Sequence, residues 1–351
     1  MSAIISTPVT ELFGIKHPVL LAGMDRAAGA DLAAAVTNAG GLGSVGGYGF
    51  TPKSLRILLR DLKSQLHNPN APFGVDLLLP QVGGNARKTN KDYTNGQLAE
   101  LLDVIIEEKA ALFISAVGAP PKWVVDKLHK AGIVVMNMIG HPKHVAKAIA
   151  SGVDLICAQA GEGGGHTGDI PASILIPACV DAAKGHISAF TGKPVYIIGA
   201  GAIYDGRGLA ANLSWGAQAV WVGTRFVASE ESAVGKKHKE LVLSADLDGM
   251  IRTEVVTGRP VRVRRTPYLD DWETNRKEEK KELLAKGIVP REHDLDKYPD
   301  KASASQMFAM GLVAALINDI LPAKVIVENM VNDAARIFKE REAQVKVQPK
   351  L

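Results

Sequence analysis

Along residues 18–224 short apolar runs alternate with amphipathic stretches at a steady spacing, the pattern of repeated strand–helix units feeding a parallel sheet. The runs lie at residues 19–24, 42–47, 73–79, 112–117, 133–139, 155–160, 195–200 and 219–224. They are rich in Val, Ile and Leu without strict polar alternation, as strands covered on both faces are. Eight such strands close a barrel, so the predicted fold class is α/β, a (β/α)8 TIM barrel with a small additional C-terminal segment or subdomain. Residues 31–38, 51–66, 97–109, 121–130, 142–150 and 206–214 carry helical patterning, several opened by Asp, Thr or Pro and closed near Gly. They form the predicted outer ring. Residues 80–96 are too polar and glycine-rich for a helix and read as an enlarged loop after the third strand, on the face where barrels bind substrates.

After Thr224 the rhythm stops. Residues 229–300 are heavily charged and contain one predicted solvated helix over 276–291, ending at Gly287 and Pro290. Residues 302–319 and 324–339 then return to amphipathic helical patterning and are expected to dock on the barrel wall. The expected organisation is therefore a barrel with closing helices over 1–228 and 301–345, interrupted by a charged excursion or small subdomain over 229–300.

Composition narrows the function classes. Formal net charge is +4, from 41 basic and 37 acidic residues, and the basic residues outside the C-terminal third are scattered, so nucleic acid is not an expected partner. Cys157 and Cys179 stand in neither a CxxC nor a His-paired zinc pattern, which predicts no metal, no disulfide framework and a reducing compartment. No run of about 18 apolar residues is present and the first ten residues lack a basic start, so a cytoplasmic protein that does not span a membrane is expected. The final Pro349-Lys350-Leu351 loosely matches a peroxisomal address, against the plainer reading of a frayed tail.

Three constellations carry chemistry. Ile198-Gly199-Ala200-Gly201-Ala202 ends the seventh run, Asp205-Gly206-Arg207-Gly208 follows, and Gly223-Thr224-Arg225 ends the eighth. Glycines let backbone N–H groups approach a phosphate, and the loops after strands 7 and 8 of a barrel commonly hold one; a glycine required only by a tight turn is the plainer alternative. Residues 159–168, reading Gln-Ala-Gly-Glu-Gly-Gly-Gly-His-Thr-Gly, place His166 in an open loop where an imidazole can exchange a proton near neutral pH. An exposed loop histidine is the alternative there. Ala22-Gly23-Met24 ends the first run and Asp76 lies in the third, where either packing or the edge of a flat cofactor explains them.

The Pro-x-x-x-Ala-x-Met start, Asn38 to Gly43, the Gln-x-Gly-Glu-x-Gly-Gly-His loop, Asp-Gly-Arg-Gly and Gly-Thr-Arg-Phe in this order resemble the nitronate monooxygenase family. Thr257-Gly258-Arg259-Pro260 resembles its fungal-type branch. The resemblance implies FMN, with Ala22, Gly23, Met24 and Asp76 at the ring edge and Gln159, Gly164 and Gly165 near the ring and ribityl chain. Gly199, Gly201, Trp221, Gly223 and Thr224 complete the implied cofactor set, the last two with Gly201 at the phosphate. It further implies His166 as the catalytic residue, and a nitronate oxidised by O2 to a carbonyl compound and nitrite. A homodimer is one expectation the resemblance allows. Two positions depart from the family pattern: Asp76 stands where many members have Asn, and Ser115-Ala116-Val117-Gly118 stands where better-known members carry Phe-His-x-Gly. An NAD(P)H-dependent quinone or enoyl-thioester reductase on the same barrel is the alternative activity, and a barrel that only binds a ligand is the non-enzyme alternative. A nucleotide dehydrogenase of the inosine-monophosphate kind fits less well, since Cys157 falls inside a run rather than in a loop.

Overall fold

The computed structural model describes residues 5–346. Eight parallel strands form at the predicted places: β1 (Val19–Leu21), β2 (Gly43–Gly47), β3 (Phe73–Leu78), β4 (Leu112–Ala116), β5 (Val134–Ile139), β6 (Leu155–Gln159) and, beyond a two-residue strand β7 (Gly165–His166), β8 (Tyr196–Ala200) and β9 (Ala219–Val222). The order β1-β9-β8-β6-β5-β4-β3-β2 is closed by a parallel bridge between Leu20 and Leu42. There Leu42 N–H donates to Val19 O at 3.0 Å and Leu21 N–H to Leu42 O at 2.9 Å, so the sheet is a barrel without a free edge.

Alternation along each strand sorts side chains into two layers. Leu20, Leu112, Ile114, Met136, Cys157, Ile198 and Trp221 point inward and fill the barrel. Val19, Leu21, Phe113, Val135, Ile156 and Ile197 point outward and meet the helices. Each fully buried Leu, Ile or Phe contributes about 1.5–3 kcal/mol. The N-terminal helix Pro8–Phe13, opened by a Thr7/Thr10 capping box, packs Val9, Leu12 and Phe13 against the inner layer and plugs the end opposite the active face.

The predicted outer helices are present, and one that the pattern did not suggest joins them. Helix Ala172–Ala183 is apolar nearly all round and carries Pro177 inside it, which hides its periodicity and reads as a breaker. Its first amide is held by both carboxylate oxygens of Glu162 at 3.1 Å. Residues 80–96 form the expected irregular loop. Helix Ala323–Glu342 matches the last expected helix and packs closely on helix Gly206–Ser214, where a Cβ on Gly206 would fall 2.4 Å from Asp333 Cβ.

Residues 302–319 correct the reading of a closing helix: apart from two short 3-10 turns, Pro299–Ala302 and Leu312–Leu316, the segment is irregular and crosses the barrel mouth. Leu312 N–H donates to Glu162 O at 2.9 Å, and Phe308, Met310, Ala314 and Ile317 join Val242 and Met250 in a separate apolar cluster. The apolar spacing is satisfied by these contacts rather than by a helical face.

Within 229–300 the chain builds helix Lys236–Leu243, strands β10 (Met250–Thr253) and β11 (Val261–Arg264), and three further helices. The single predicted helix over 276–291 is two, Lys277–Ala285 and Pro290–Lys297, separated at Gly287, whose φ is +82°. Val255, Val256, Val261, Val263, Leu269, Trp272 and Leu283 form an apolar centre of their own. The Arg276 guanidinium lies 3.4 Å over the Trp272 ring and pairs with the fully buried Asp294 carboxylate at 2.9 Å. β11 pairs with β7, placing Val261 opposite His166 and Arg262 opposite Gly165, so this cap is stitched to the histidine loop by backbone hydrogen bonds.

Candidate active site

A cavity of about 1190 Å³ opens where the barrel strands end. Ala22, Gly23, Met24, Asp76, Gln159, Gly164, Gly165, His166, Gly201, Trp221, Gly223 and Thr224 all line it. Gly199 does not: it belongs to the outward-facing set of β8, and a Cβ there would sit 1.9 Å from Asn212 Oδ1. The glycine makes room for a helix, and its assignment to the cofactor is corrected. Asp205-Gly206-Arg207-Gly208 also leaves the phosphate cradle, because the Asp205 carboxylate itself accepts the Arg207 and Gly208 N–H groups at 3.0 and 3.2 Å.

The remaining cradle is tight. Gly201 has φ +92° and Ala202 φ +58°, two successive residues in the left-handed region, which costs a non-glycine residue about 1–2 kcal/mol. Such a turn exposes backbone N–H groups. Thr224 Oγ1 accepts the Gly311 N–H at 2.9 Å, so its own proton is available to an anion. Arg225 is turned away from the cavity: it pairs with Asp319 at 2.7 Å and fastens the segment that crosses the mouth.

Next to this cradle, across the β9–β1 pairing, the ends of β1, β2 and β3 crowd together. A Cβ on Gly23 would meet Asp76 Cβ at 2.4 Å, and one on Gly46 would meet Gly23 Cα at 2.6 Å. Asp76 is buried, its Oδ1 has no hydrogen-bond partner, and burial pushes its carboxyl well above the usual carboxylate range. It therefore keeps an unspent polar atom at the cavity wall, a position suited to a ligand with complementary ring edge atoms.

The histidine loop is held on three sides. Gln159 Nε2 donates to Gly164 O at 3.1 Å and His166 O at 2.8 Å. Gly164 is pressed against Met310 and Gly311, with 2.6 Å between a Cβ there and the Met310 carbonyl carbon. His166 Nε2 lies 3.1 Å from Thr257 Oγ1. With the Thr257 hydroxyl proton directed at Arg259 O, 3.1 Å away, Oγ1 would accept from His166 Nε2–H and Nδ1 would be the basic nitrogen. Burial, and then the charge of Arg259, lower the His166 pKa to about 4. The imidazole is neutral near pH 7.

Arg259 lines the same cavity. Its guanidinium donates to Asn90 Oδ1 at 2.8 Å and Val117 O at 3.0 Å, and it has no carboxylate partner among the described residues. Val117 is β-branched at φ +71°, a strained backbone at the site. Thr257 and Arg259 were noted in sequence only as a branch-like tetrapeptide; their position against His166 depends on the β11–β7 pairing, which joins residues distant in the chain. Asn137, which donates to Ser115 O and Gly118 O at 2.9 and 2.7 Å, had no sequence signal at all.

Among the described residues no helix is long and apolar enough to cross a membrane, and no cluster of His, Cys, Asp and Glu could hold a metal ion. Both cysteines are free and buried. The C-terminal tripeptide lies outside the described residues.

Three similarities bear on this site. The chain is 38% identical over 268 residues, 76% of its length and 68% of the relative's, to (3aS,4S,5R,7aS)-5-hydroxy-7a-methyl-1-oxo-octahydro-1H-indene-4-carboxyl-CoA dehydrogenase of Mycobacterium tuberculosis. It is 32% identical to a nitronate monooxygenase of Pseudomonas aeruginosa, over 72% of this chain and 78% of that one. FabK from Thermotoga maritima shares the fold at a TM-score of 0.77 and 28% identity, covering 97% of this chain and 100% of its own. The model of one family matches residues 6–333, nearly the whole barrel together with its cap and closing helix, and by that match the chain belongs to the nitronate monooxygenase family.

Proposed function

We propose that this protein is an FMN-dependent enzyme that oxidises alkyl nitronates with dioxygen to a carbonyl compound and nitrite. The residues at the site fit the cofactor. Gly201, Gly223 and Thr224 would hold its phosphate with backbone and hydroxyl donors, and Ala22, Gly23, Met24 and the unpartnered Asp76 carboxyl would border its ring. Gln159, Gly164 and Gly165 would line its ring and ribityl chain, with Trp221 in the wall beneath. FMN, when bound, supplies the electron acceptor that none of the protein's own side chains can be.

The observation that carries the reading is the pairing of a neutral His166 with an Arg259 that has no carboxylate of its own. A nitronate is a small anion, and Arg259 offers it a charge-assisted hydrogen-bond donor in a partly desolvated place. His166 Nδ1, uncharged near pH 7, can take the α-proton of a neutral nitroalkane; a pKa of about 4 makes it a weak base, so the transfer depends on the guanidinium stabilising the anion that is left. Thr257 keeps the imidazole in the tautomer this requires. The FMN-loaded enzyme should release nitrite and carbonyl product in equal amounts from an alkyl nitronate in air; FMN-loaded protein that forms neither would overturn the proposal.

A second reading is favoured by the carboxyl-CoA dehydrogenase relative: oxidoreduction of an acyl thioester, or its reversal with reduced nicotinamide, on the same barrel. Rapid bleaching of the flavin by NADH with nitronate inert would select it.

A further inference from the structure

A second electropositive feature stands at the cavity mouth. Directly after β5 the chain reads Gly140-His141-Pro142-Lys143-His144-Val145-Ala146-Lys147. His141, Lys143, His144 and Lys147 all line the cavity, and none of these side chains has a carboxylate partner among the described residues. Three other cations of the mouth are paired, Arg87 with Glu254 at 2.6 Å, Lys91 with Glu292 at 2.5 Å and Arg252 with Asp169 at 2.7 Å, whereas Lys237, Arg259 and Arg291 line it, like the ledge, without a carboxylate partner among the described residues. Burial, and then Lys143, His141 and Lys147, hold the His144 pKa below its ordinary value, so the cations of this ledge act on one another without an internal counter-charge. A cleft lined by one sign of charge concentrates ligands of the opposite sign.

The ledge adjoins the reacting end of the site. A Cβ on Gly168 would fall 2.4 Å from Gly140 O, so the His166 loop and the ledge abut backbone to backbone. The flavin phosphate does not account for it, because the β8–β9 cradle is separated from β5 by β6. A small nitronate does not account for it either: one negative charge is met by Arg259 alone.

We propose that Lys143, Lys147 and His141 form a subsite for the pyrophosphate-bearing tail of a second, adenosine-containing ligand whose reactive end reaches the His166 loop. A CoA thioester and a reduced nicotinamide dinucleotide share this chemistry. The inference depends on no particular reaction, since it rests on the charge and placement of the ledge.

Titration calorimetry on the FMN-loaded enzyme tests it, with adenosine 3′-phosphate 5′-diphosphate, ADP-ribose and inorganic phosphate as probes. At least one nucleotide probe should bind one per chain, with affinity falling as salt rises. Lys143→Glu/Lys147→Glu should weaken it by about 100-fold, roughly a factor of ten per lost charge-assisted contact. The double variant should keep the wild-type flavin spectrum and thermal transition, which separates loss of the subsite from loss of the fold. Tighter binding of the 3′-phosphorylated probe identifies a CoA-like ligand, and tighter binding of ADP-ribose a dinucleotide. Either supports the subsite. It is overturned if neither nucleotide binds at millimolar concentration, if the double variant binds as well as wild type, or if inorganic phosphate binds as tightly as the nucleotides. Nitronate turnover, measured in parallel, reports on the proposed reaction alone.

Discussion

The β8–β9 rim and the cap turn at residues 255–262 face the same cavity, yet they are built by different means. The rim is backbone: Gly201 at φ +92°, Ala202 at φ +58°, Gly223 and one hydroxyl, Thr224. The cap turn is side chains: Thr257 on the imidazole and the Arg259 guanidinium in the cavity. A cradle of backbone donors recognises a phosphate whatever it is attached to, whereas side chains on an insertion can change the substrate without disturbing the barrel. On the proposed function the labour is divided: the barrel would hold FMN, and the cap together with the histidine loop would select and activate the substrate.

Four substitutions test that division, beginning with the largest effect. His166→Ala, between the two regions, should lower kcat about 10²–10⁴-fold on a neutral nitroalkane while leaving the FMN dissociation constant within a few-fold of wild type. Steady-state kinetics with a flavin titration checks both. Next, Arg259→Met should raise KM for a nitronate by about 10–100-fold, the worth of a hydrogen bond to a charged group. It should also move the acidic limb of the nitroalkane pH profile. A neutral His166 is lost as pH falls through about 4 in the wild type. Removing Arg259, one of the two causes of that lowering, shifts the limb upward toward the ordinary value of about 6.5. A limb that stays in place would separate Arg259 from the histidine.

Gly201→Ala should act on the other side of the comparison. A Cβ there lies 3.1 Å from Ala160 Cβ on a backbone that disfavours it, so FMN affinity should fall about 10-fold with the pH profile unchanged. Equilibrium dialysis of FMN measures it. The smallest effect belongs to Thr257→Val, which removes the acceptor of His166 Nε2–H. Loss of about 1 kcal/mol should cost roughly fivefold in kcat on a neutral nitroalkane and little on a preformed nitronate. Equal losses on both substrates would count against the tautomer assignment.

The barrel was legible because its signal is local. Most buried strands are short runs rich in Val, Ile and Leu bounded by glycine or a polar turn, and each run formed a strand, even the glycine-rich β2, Gly43–Gly47. The histidine loop was legible for the same reason, a local run of glycines that ends on a histidine, Gly163-Gly164-Gly165-His166. Gly199 misled because glycine before a phosphate loop and glycine beneath a packed helix look alike in sequence; only the alternation along β8 shows that it faces Asn212. Residues 302–319 misled because apolar side chains can be spaced for contacts with separate neighbours as easily as for one helical face. Arg259 was out of reach as a site residue, since nothing in its own neighbourhood tells that β11 pairs with β7.

On the proposed function, the neutral His166, the Arg259 cation and the glycine cradle together would serve oxidation of a nitronate by a bound flavin. Absorbance of the FMN-loaded protein mixed with an alkyl nitronate in the absence of oxygen tests it most directly. The oxidised-flavin band should be lost on mixing, and admitting oxygen should restore it with release of nitrite. An unchanged band, with no nitrite on aeration, would contradict it.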